Sequence, residues 1–201
     1  MNKVLQFKVS LVYSTPEIWR RIQISDKCTF WDLHVAIQDS MGWEDCHLHQ
    51  FVVYDPNDKS KKHPIFIGIP DEDDLLGDAG INMLAGWEIK VFDYLTSNKT
   101  FGYEYDFGDG WEHFIEFEGE YSKDTTVKKY PTCLSGENAC PPEDVGGIPG
   151  FYDYVEAIID KKHPDHKDCL EWRGKYDPAK FDLTKVKFSN PKIRLKNLME
   201  E

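Results

Sequence analysis

The strongest constraint on the fold is a run of large side chains that alternate with small or polar ones on both sides of a Gly-Asp-Gly turn. Successive residues of a strand point to opposite faces, so this pattern predicts a β-hairpin with one apolar face. The alternating residues are Phe101, Tyr103, Tyr105 and Phe107, followed by Trp111, His113, Ile115 and Phe117.

The turn length decides which residues of this hairpin face each other. A two-residue turn, 109–110, would put the two aromatic sets on opposite faces, so we expect a three-residue turn, 108–110, with Gly110 in the left-handed conformation. This choice pairs Tyr105 with His113 and places Asp106 directly across from Glu112. Like charges in that position destabilise a sheet.

The first half of the chain predicts a hairpin followed by a helix. Residues 5–13 and 18–24 alternate in polarity, as two antiparallel strands would. Large apolar residues then recur every three or four positions from Phe30 to Met41, which favours a helix. Thr29 and Asp32 resemble a capping box, and Gly42 fits the helix end. With further strands at 47–54 and 87–95, this order favours a β-grasp-like N-terminal half.

The second half predicts the aromatic hairpin, a loop and helices. Residues 130–150 are rich in Pro and Gly and precede a helical pattern over 151–159. A short segment at 169–172 follows, then a small helix that begins at Asp177-Pro178, and a Lys-rich surface tail after Asn190. The expected fold is therefore one α+β domain over residues 1–201, with a mixed or antiparallel sheet and C-terminal helices.

Charge and composition narrow the classes of partner. The 201 residues carry a net charge of −12, which disfavours nucleic acid and anionic membranes and favours a protein or small-molecule partner. We find neither an apolar run long enough to span a membrane nor a signal peptide. The five cysteines are scattered and odd in number, which favours reduced thiols and a cytoplasmic location.

A small basic cluster, Arg20, Arg21 and Lys27, lies near tryptophans in the sequence. Basic and aromatic residues together can bind single-stranded nucleic acid. Against the acidic background, we expect these cations to pair with Asp32 or Asp39 instead.

The acids at the hairpin tip are the first candidate site. Asp106, Asp109 and Glu112 offer oxygen ligands for a hard divalent cation, and His113 could act as a general base that one of them orients. Turn chemistry offers a simpler interpretation, in which Asp109 serves the turn, Asp106 caps backbone N–H groups and His113 packs beside Tyr105.

A stiff loop, Cys-Pro-Pro-Glu-Asp-Val-Gly-Gly over residues 140–147, is the second candidate. Its acids, Glu143 and Asp144, would join the hairpin tip and His47 in one shared acidic site. Alternatively, the two acids satisfy loop amides and cap the following helix.

Two weaker metal patterns remain. Cys133 and Cys140, with His113, His47 or Cys169, could hold zinc, but structural zinc sites usually pair cysteines roughly two to four residues apart. His47 and His49, two positions apart on one strand face, could chelate a metal or simply pack. No Walker loop, Gly-x-Ser-x-Gly elbow or His-Glu-x-x-His motif occurs.

Several segments resemble the Ri-plasmid ORF-three-like family, a group of plasmid- and transposon-associated proteins of bacteria and archaea. The resemblance extends over residues 6–181 and implies a single α+β domain, often linked with mobile elements, but no particular reaction. The segments that carry it are Trp19–Arg21, Trp31–His34 with Met41–Trp43, His47–Phe51, Tyr105–His113 and Ala139–Gly147.

Three functional hypotheses follow. We favour a non-enzymatic binding module with a rigid aromatic and acidic groove. This groove would be lined by the Pro-Pro-Glu-Asp loop and by Trp43, His47, Tyr105, Trp111 and His113. The alternative is a metal-dependent or acid/base enzyme of hydrolase type that uses a divalent ion or a carboxylate pair. This enzyme would use Asp106, Asp109, His113, Glu143 and Asp144. The third hypothesis, accessory DNA handling in a mobile element, rests only on the family resemblance.

Overall fold

A computed structural model describes residues 3–58, 60–70, 83–96 and 98–200. Eight strands form one sheet, with the spatial order β5-β4-β3-β6-β7-β1-β2-β8. None of the helices in these ranges is both long and apolar enough to cross a membrane. The strands are β1 (Lys3–Leu11), β2 (Trp19–Ser25), β3 (His49–Tyr54), β4 (Pro64–Gly68), β5 (Met83–Ala85), β6 (Thr100–Tyr105), β7 (Trp111–Ser122) and β8 (Thr132–Glu137), and the helices are α1 (Phe30–Met41), α2 (Gly147–Ile159), α3 (His166–Arg173) and α4 (Pro191–Leu198).

The predicted α+β class and mixed sheet are confirmed. β4 and β5 pair in parallel, and the other strand pairs of the described sheet are antiparallel. The hairpin and helix of the predicted β-grasp-like half are present as β1, β2 and α1. β1 lies between β2 and β7 and is antiparallel to both.

Helix α1 begins and ends where the sequence predicts. The Thr29 side chain accepts from the Asp32 N–H while the Asp32 carboxylate accepts from the Thr29 N–H, which completes the capping box. Gly42 ends the helix in the left-handed conformation, with φ 95°. The apolar side of α1 packs on the sheet in a core rich in aromatic contacts, such as that between Phe30 and Phe51, whose ring centroids lie 5.0 Å apart.

The opposite face of the sheet carries ion pairs. Arg21 binds Glu118 at 2.7 Å and Lys8 binds Glu17 at 2.8 Å. The predicted pairing of Arg20 and Arg21 with Asp32 or Asp39 is therefore wrong. Arg20 follows the alternation of β2 into the interior, where it hydrogen-bonds to backbone carbonyls.

The predicted strand at 87–95 is wrong. This segment forms turns and a short 3-10 helix, Val91–Tyr94. Its backbone bonds to the start of α1 rather than to a strand, since the Phe30 N–H donates to the Ile89 carbonyl and the Val91 N–H to the Cys28 carbonyl. Val91 and Leu95, four residues apart, are the buried anchors.

The predicted loop at 130–150 contains a strand. β8 pairs with β2 at the edge of the sheet. Its sequence, Thr-Cys-Leu-Ser-Gly-Glu, has too few large apolar residues to give an alternating signal.

The C-terminal segment also differs from the prediction. No helix begins at Pro178; the final helix is α4, capped by Asn190. The tail expected on the surface is thus helical, and it covers the outer side of α1. Arg194 forms ion pairs with Asp39 and Asp45, and the Trp31 indole donates to the Pro191 carbonyl.

Candidate metal centre

The aromatic hairpin is confirmed, but its loop is longer than predicted. Tyr105 faces Trp111 and Tyr103 faces His113, so five residues, 106–110, connect β6 to β7. The Asp106 N–H donates to the Leu48 carbonyl instead of extending the ladder. The predicted opposition of Asp106 and Glu112 is therefore wrong: Glu104 faces Glu112. Gly110 has φ 66°, as predicted for the left-handed position.

Asp106 uses its two carboxylate oxygens differently. Oδ1 accepts the Gly108 N–H at 2.9 Å and so caps the loop. Oδ2 lies 3.6 Å from Nε2 of His47. The carboxylate is 10% exposed. The turn interpretation of Asp106 is thus confirmed, and the second oxygen remains available for a ligand.

His47 lies between two carboxylates from distant segments. Its Nε2 is 3.0 Å from Oδ1 of Asp144 and also lies near Oδ2 of Asp106. Atoms able to ligate a metal from these three residues all lie within 4.8 Å of one another. The Asp144 side chain is 63% exposed and that of His47 31%, so the cluster faces solvent.

Close contact between two loops sets this geometry. Oδ2 of Asp109 accepts the Gly146 N–H at 3.0 Å. Gly147 has φ 66°, and a Cβ there would lie 2.4 Å from the Asp109 carbonyl oxygen. Only glycine permits both the conformation and the approach. The Gly-Gly of the 140–147 loop therefore places Asp144 against the hairpin tip.

Glu143 lies beneath this cluster and is 4% exposed. Its Oε1 accepts the Glu44 N–H at 2.8 Å and the Tyr105 hydroxyl at 3.1 Å. Its Oε2 is buried and has no partner. Burial raises the pKa of this carboxyl, because removal from water disfavours the charged form. Glu143 also forms a second metal-capable group with Cys46 and His47.

Among the described residues, the side-chain nitrogen within ion-pair distance of Asp106 and Asp144 belongs to His47. Within the part of the chain that the structure describes, neither Lys nor Arg forms an ion pair with Asp106, Glu143 or Asp144. Arg173 approaches, but it donates to the backbone carbonyl of Glu143. The carboxylates are thus arranged around a place suited to positive charge.

A cavity of about 530 Å³ begins beside this cluster. It lies between the 44–48 loop and α4, and both His47 and Cys46 line it. The remaining wall includes Trp31 and Arg194. A small molecule in this cavity would therefore reach the imidazole of His47.

The predicted aromatic groove does not exist as an open surface. Trp43 packs on Tyr105, Trp111 and His113, with ring centroids 5.1 to 5.9 Å apart. All four side chains are buried. Of the predicted groove, His47 and Asp144 of the Pro-Pro-Glu-Asp loop face solvent, and the aromatic rings do not.

His113 belongs to this packed core rather than to the acidic cluster. Its Nδ1 donates to the Trp111 carbonyl at 2.9 Å, and Nε2 has no partner. Burial lowers the pKa of the imidazole to about 4. None of its hydrogen bonds or ring contacts involves the tip carboxylates, so the predicted general base is not part of this site.

The other predicted ligands are also separated. β3 begins at His49, so His47 lies in the preceding loop, and His49 instead stacks on His34 with 3.4 Å between ring centroids. Glu112 lies exposed on the opposite face of the hairpin. Among the described residues, Cys133, Cys140 and Cys169 belong to neither metal-capable group.

Cys46 and the Tyr105 hydroxyl are neighbours of Glu143 that were not predicted from the sequence. The Cys46 N–H donates to the Tyr105 oxygen at 3.1 Å, which orients the hydroxyl towards the carboxylate. The adjacent pair Cys46-His47 was the available signal, because both residue types are common metal ligands.

Comparisons with known proteins agree with this fold. The chain is 34% identical over 186 residues to "Uncharacterized protein y4hQ" of Sinorhizobium fredii (strain NBRC 101917 / NGR234), which covers 92% of this chain and 87% of that protein. A crystal structure, described as a protein of unknown function, MM3350, from Methanosarcina mazei Go1, matches with a TM-score of 0.82 and 37% identity. That match covers 94% of this chain and 99% of the other.

The family model described as "Plasmid pRiA4b ORF-3-like protein" matches residues 3–185, nearly the whole chain. Neither relative's name states an activity. The resemblance that the sequence motifs suggest is confirmed, and the chain belongs to the plasmid pRiA4b ORF-3-like family.

Proposed function

We propose that this protein binds one divalent transition-metal ion through His47, Asp106 and Asp144, and that the bound ion activates a water molecule for hydrolysis. The observation that carries the proposal is the pair of distances from Nε2 of His47 to the two carboxylates, 3.0 and 3.6 Å. Two atoms that ligate the same ion at about 2.1 Å lie about 3.0 to 3.4 Å apart in octahedral or tetrahedral geometry. The distance to Asp144 lies in this range, and the distance to Asp106 exceeds it by about 0.2 Å.

The buried carboxylate oxygen of Glu143 supports the same interpretation independently. An unpartnered charged oxygen in the interior is costly unless a cation compensates it. Because Glu143 also lies in a metal-capable group with His47, an ion at the cluster would reduce that cost.

The ligand types favour Zn²⁺ or Mn²⁺. An imidazole suits zinc, iron and other transition metals, whereas Mg²⁺ and Ca²⁺ prefer oxygen ligands alone. Three protein ligands with a solvent-facing side are typical of catalytic zinc sites, where water takes the open position.

Glu143 is placed to take part in such a reaction. A metal ion lowers the pKa of its bound water, and a nearby carboxylate with a raised pKa is suited to accept the proton. The cavity is lined by one of the proposed ligands, His47, so a substrate bound there would approach the ion from the side of this imidazole. The aromatic binding groove receives no such support, because its rings are buried. DNA handling also receives none, since Arg20 is buried and Arg21 is paired with Glu118.

Calorimetric titration of chelator-treated protein with Zn²⁺ and Mn²⁺ tests this proposal. We expect one site per chain, and a loss of binding in Asp144→Asn, which changes a solvent-exposed side chain and leaves the buried core untouched. Glu112→Gln is the matched control, since it removes one exposed carboxylate from the same hairpin on the opposite face.

Absence of binding in the parent protein, or an equal loss in the Glu112→Gln control, would contradict the proposal. Metal-loaded protein is then assayed with chromogenic phosphate and carboxylate esters. Hydrolysis that requires the ion and is lost in Glu143→Gln supports catalysis. Binding without hydrolysis would reduce the proposal to a metal-binding module.

A further inference from the structure

A second cavity of about 530 Å³ lies away from the acidic cluster, between the end of α1 and the C-terminal segment. The loop at 139–140 forms its third wall. Its charged lining residues are four cations and three acids, in a chain whose net charge is −12. The cations are Arg20, Lys175, Lys180 and Lys185, and the acids are Asp39, Asp177 and Asp182.

Arg20 is the buried element of this cavity. It is 1% exposed, and its guanidinium stacks on Phe181 at 3.9 Å. A Cβ at Gly136 would lie 2.8 Å from Cδ of Arg20, so the strand approaches the side chain as closely as a glycine allows. The guanidinium is therefore held in one place.

Three hydrogen bonds use the Nε and Nη1 donors of this guanidinium and leave Nη2 without a partner among the described residues. Nε donates to the Ser40 carbonyl at 3.0 Å, and Nη1 donates to the carbonyls of Trp19 and Glu137 at 2.8 and 2.9 Å. The hydrogen bond to Ser40 gives Arg20 one structural role: it places a positive charge at the C-terminal end of α1, whose last turn has no basic residue. Among the described residues, Nη2 has no hydrogen-bond partner and Arg20 has no carboxylate partner.

The acids of the cavity wall are already engaged. Asp39 binds Arg194 and the backbone N–H of Ser189. Asp177 and Asp182 each accept a backbone N–H from the turn that follows them. None of the three lysines forms an ion pair within the described part of the chain. The pKa of Asp182 is lowered mainly by its hydrogen bonds from Thr184 and also by the nearby charges of Lys185 and Lys180.

We propose that this cavity binds a small phosphate-bearing molecule, with Nη2 of Arg20 donating to a phosphate oxygen. Nε already binds Ser40 and Nη1 binds two carbonyls, so Arg20 offers the ligand a single donor and the lysines must supply most of the positive charge. The three lysines are mobile point charges, which suit a multiply charged phosphate. The cavity volume lies in the range of small-molecule sites, roughly 300 to 1,000 Å³.

Calorimetric titration with pyrophosphate, at low salt and with EDTA present, tests this assignment. EDTA keeps the result separate from the proposed metal centre. We expect binding that weakens as salt rises, and a loss of at least about 10-fold when Lys175, Lys180 and Lys185 are all changed to Ala, because each removes a charge near the anion. Citrate, an anion of carboxylates, should bind more weakly than pyrophosphate.

The matched control changes Lys161, Lys162 and Lys167 to Ala. It removes the same charge from exposed positions outside the cavity, and its affinity for pyrophosphate should equal that of the parent protein. Arg20→Lys keeps the charge but loses Nη2, and should weaken binding if the variant folds. No pyrophosphate binding in the parent protein, an equal loss in the control, or tighter binding of citrate would overturn the proposal.

Discussion

His47 and His113 illustrate two regions with the same kind of side chain and different surroundings. His47 lies between two carboxylates at the surface, and its hydrogen-bonding nitrogen can exchange those partners for an ion. His113 lies among aromatic rings in the interior, where it donates to one carbonyl and stays neutral. The neighbours of a histidine and its access to water therefore decide whether it can serve as a metal ligand.

The largest expected effect separates these two histidines by metal affinity. His47→Ala removes a ligand, so the affinity for Zn²⁺ should fall more than about 100-fold, beyond the 10- to 100-fold that is typical when only a supporting residue is lost. His113→Phe should leave the affinity unchanged, because the imidazole touches none of the ligands. Competition with a chromogenic chelator measures both. A loss of Zn²⁺ affinity in His113→Phe as large as in His47→Ala would contradict the assignment of His47 as the ligand.

The second effect separates them by acid stability. Because the pKa of His113 is depressed to about 4 in the fold, the unfolded chain binds more protons below pH 6.5. Its contribution to the free energy of unfolding is full above pH 6.5 and is lost as the pH falls towards 4, by up to about 3 kcal/mol. Urea unfolding across this range should show a smaller loss in His113→Phe. Part of the pH dependence of the free energy of unfolding should remain in His113→Phe, because burial also lowers the pKa of His49. An unchanged slope would contradict this account.

The third effect concerns the loop that brings Asp144 to His47. Gly147→Ala should destabilise the protein by about 2 kcal/mol, since it combines a positive φ with a clash against the Asp109 carbonyl. Gly174→Ala is the control, because Gly174 has a positive φ of 73° but open space around its Cβ. Thermal unfolding should show the smaller loss in the control, and metal affinity should fall only in Gly147→Ala. Equal losses would mean that the close approach does not matter.

The smallest effect concerns Glu143. Glu143→Gln keeps an oxygen for the Glu44 N–H and the Tyr105 hydroxyl but removes the buried charge. The metal-free protein should gain roughly 1 kcal/mol at pH 7, because a neutral amide costs less to bury than a carboxylate. The sign follows from the raised pKa, since the cost of Glu143 appears as the pH rises and the group ionises. Glu44→Gln, an exposed neighbour, should change little. A gain equal to that of Glu44→Gln would contradict this explanation.

The spacing of apolar residues along the sequence predicted the strands and the helix that bury one face. It did not predict the elements that bury few apolar residues. The strands β1 and β2 and the helix α1 follow from alternating or helical spacing of apolar residues. The strand β8 has little such spacing, so it depends on its pairing with β2. The C-terminal helix α4 has no buried residue, and it is held by the ion pairs of Arg194 with Asp39 of α1 and with Asp45, which no local pattern contains.

The sequence indicated His47, Asp106, Glu143 and Asp144 as members of one cluster, but it indicated neither Cys46 nor the geometry. A shift of two residues in the hairpin leaves every side chain on its face, so alternation cannot distinguish the predicted register from the observed one. The bond from the Asp106 N–H to Leu48 decides between them, and it is a long-range contact. Alternation likewise cannot distinguish an open aromatic groove from the buried cluster around Trp43.

A crystal structure of protein soaked with Mn²⁺, with data collected at a wavelength where manganese scatters anomalously, tests the central claim most directly. We expect one strong anomalous peak within about 2.3 Å of Nε2 of His47 and of oxygens of Asp106 and Asp144. A map without a peak there, with His47 still hydrogen-bonded directly to Asp144, would show that the cluster is a structural bridge and would contradict the proposed metal centre.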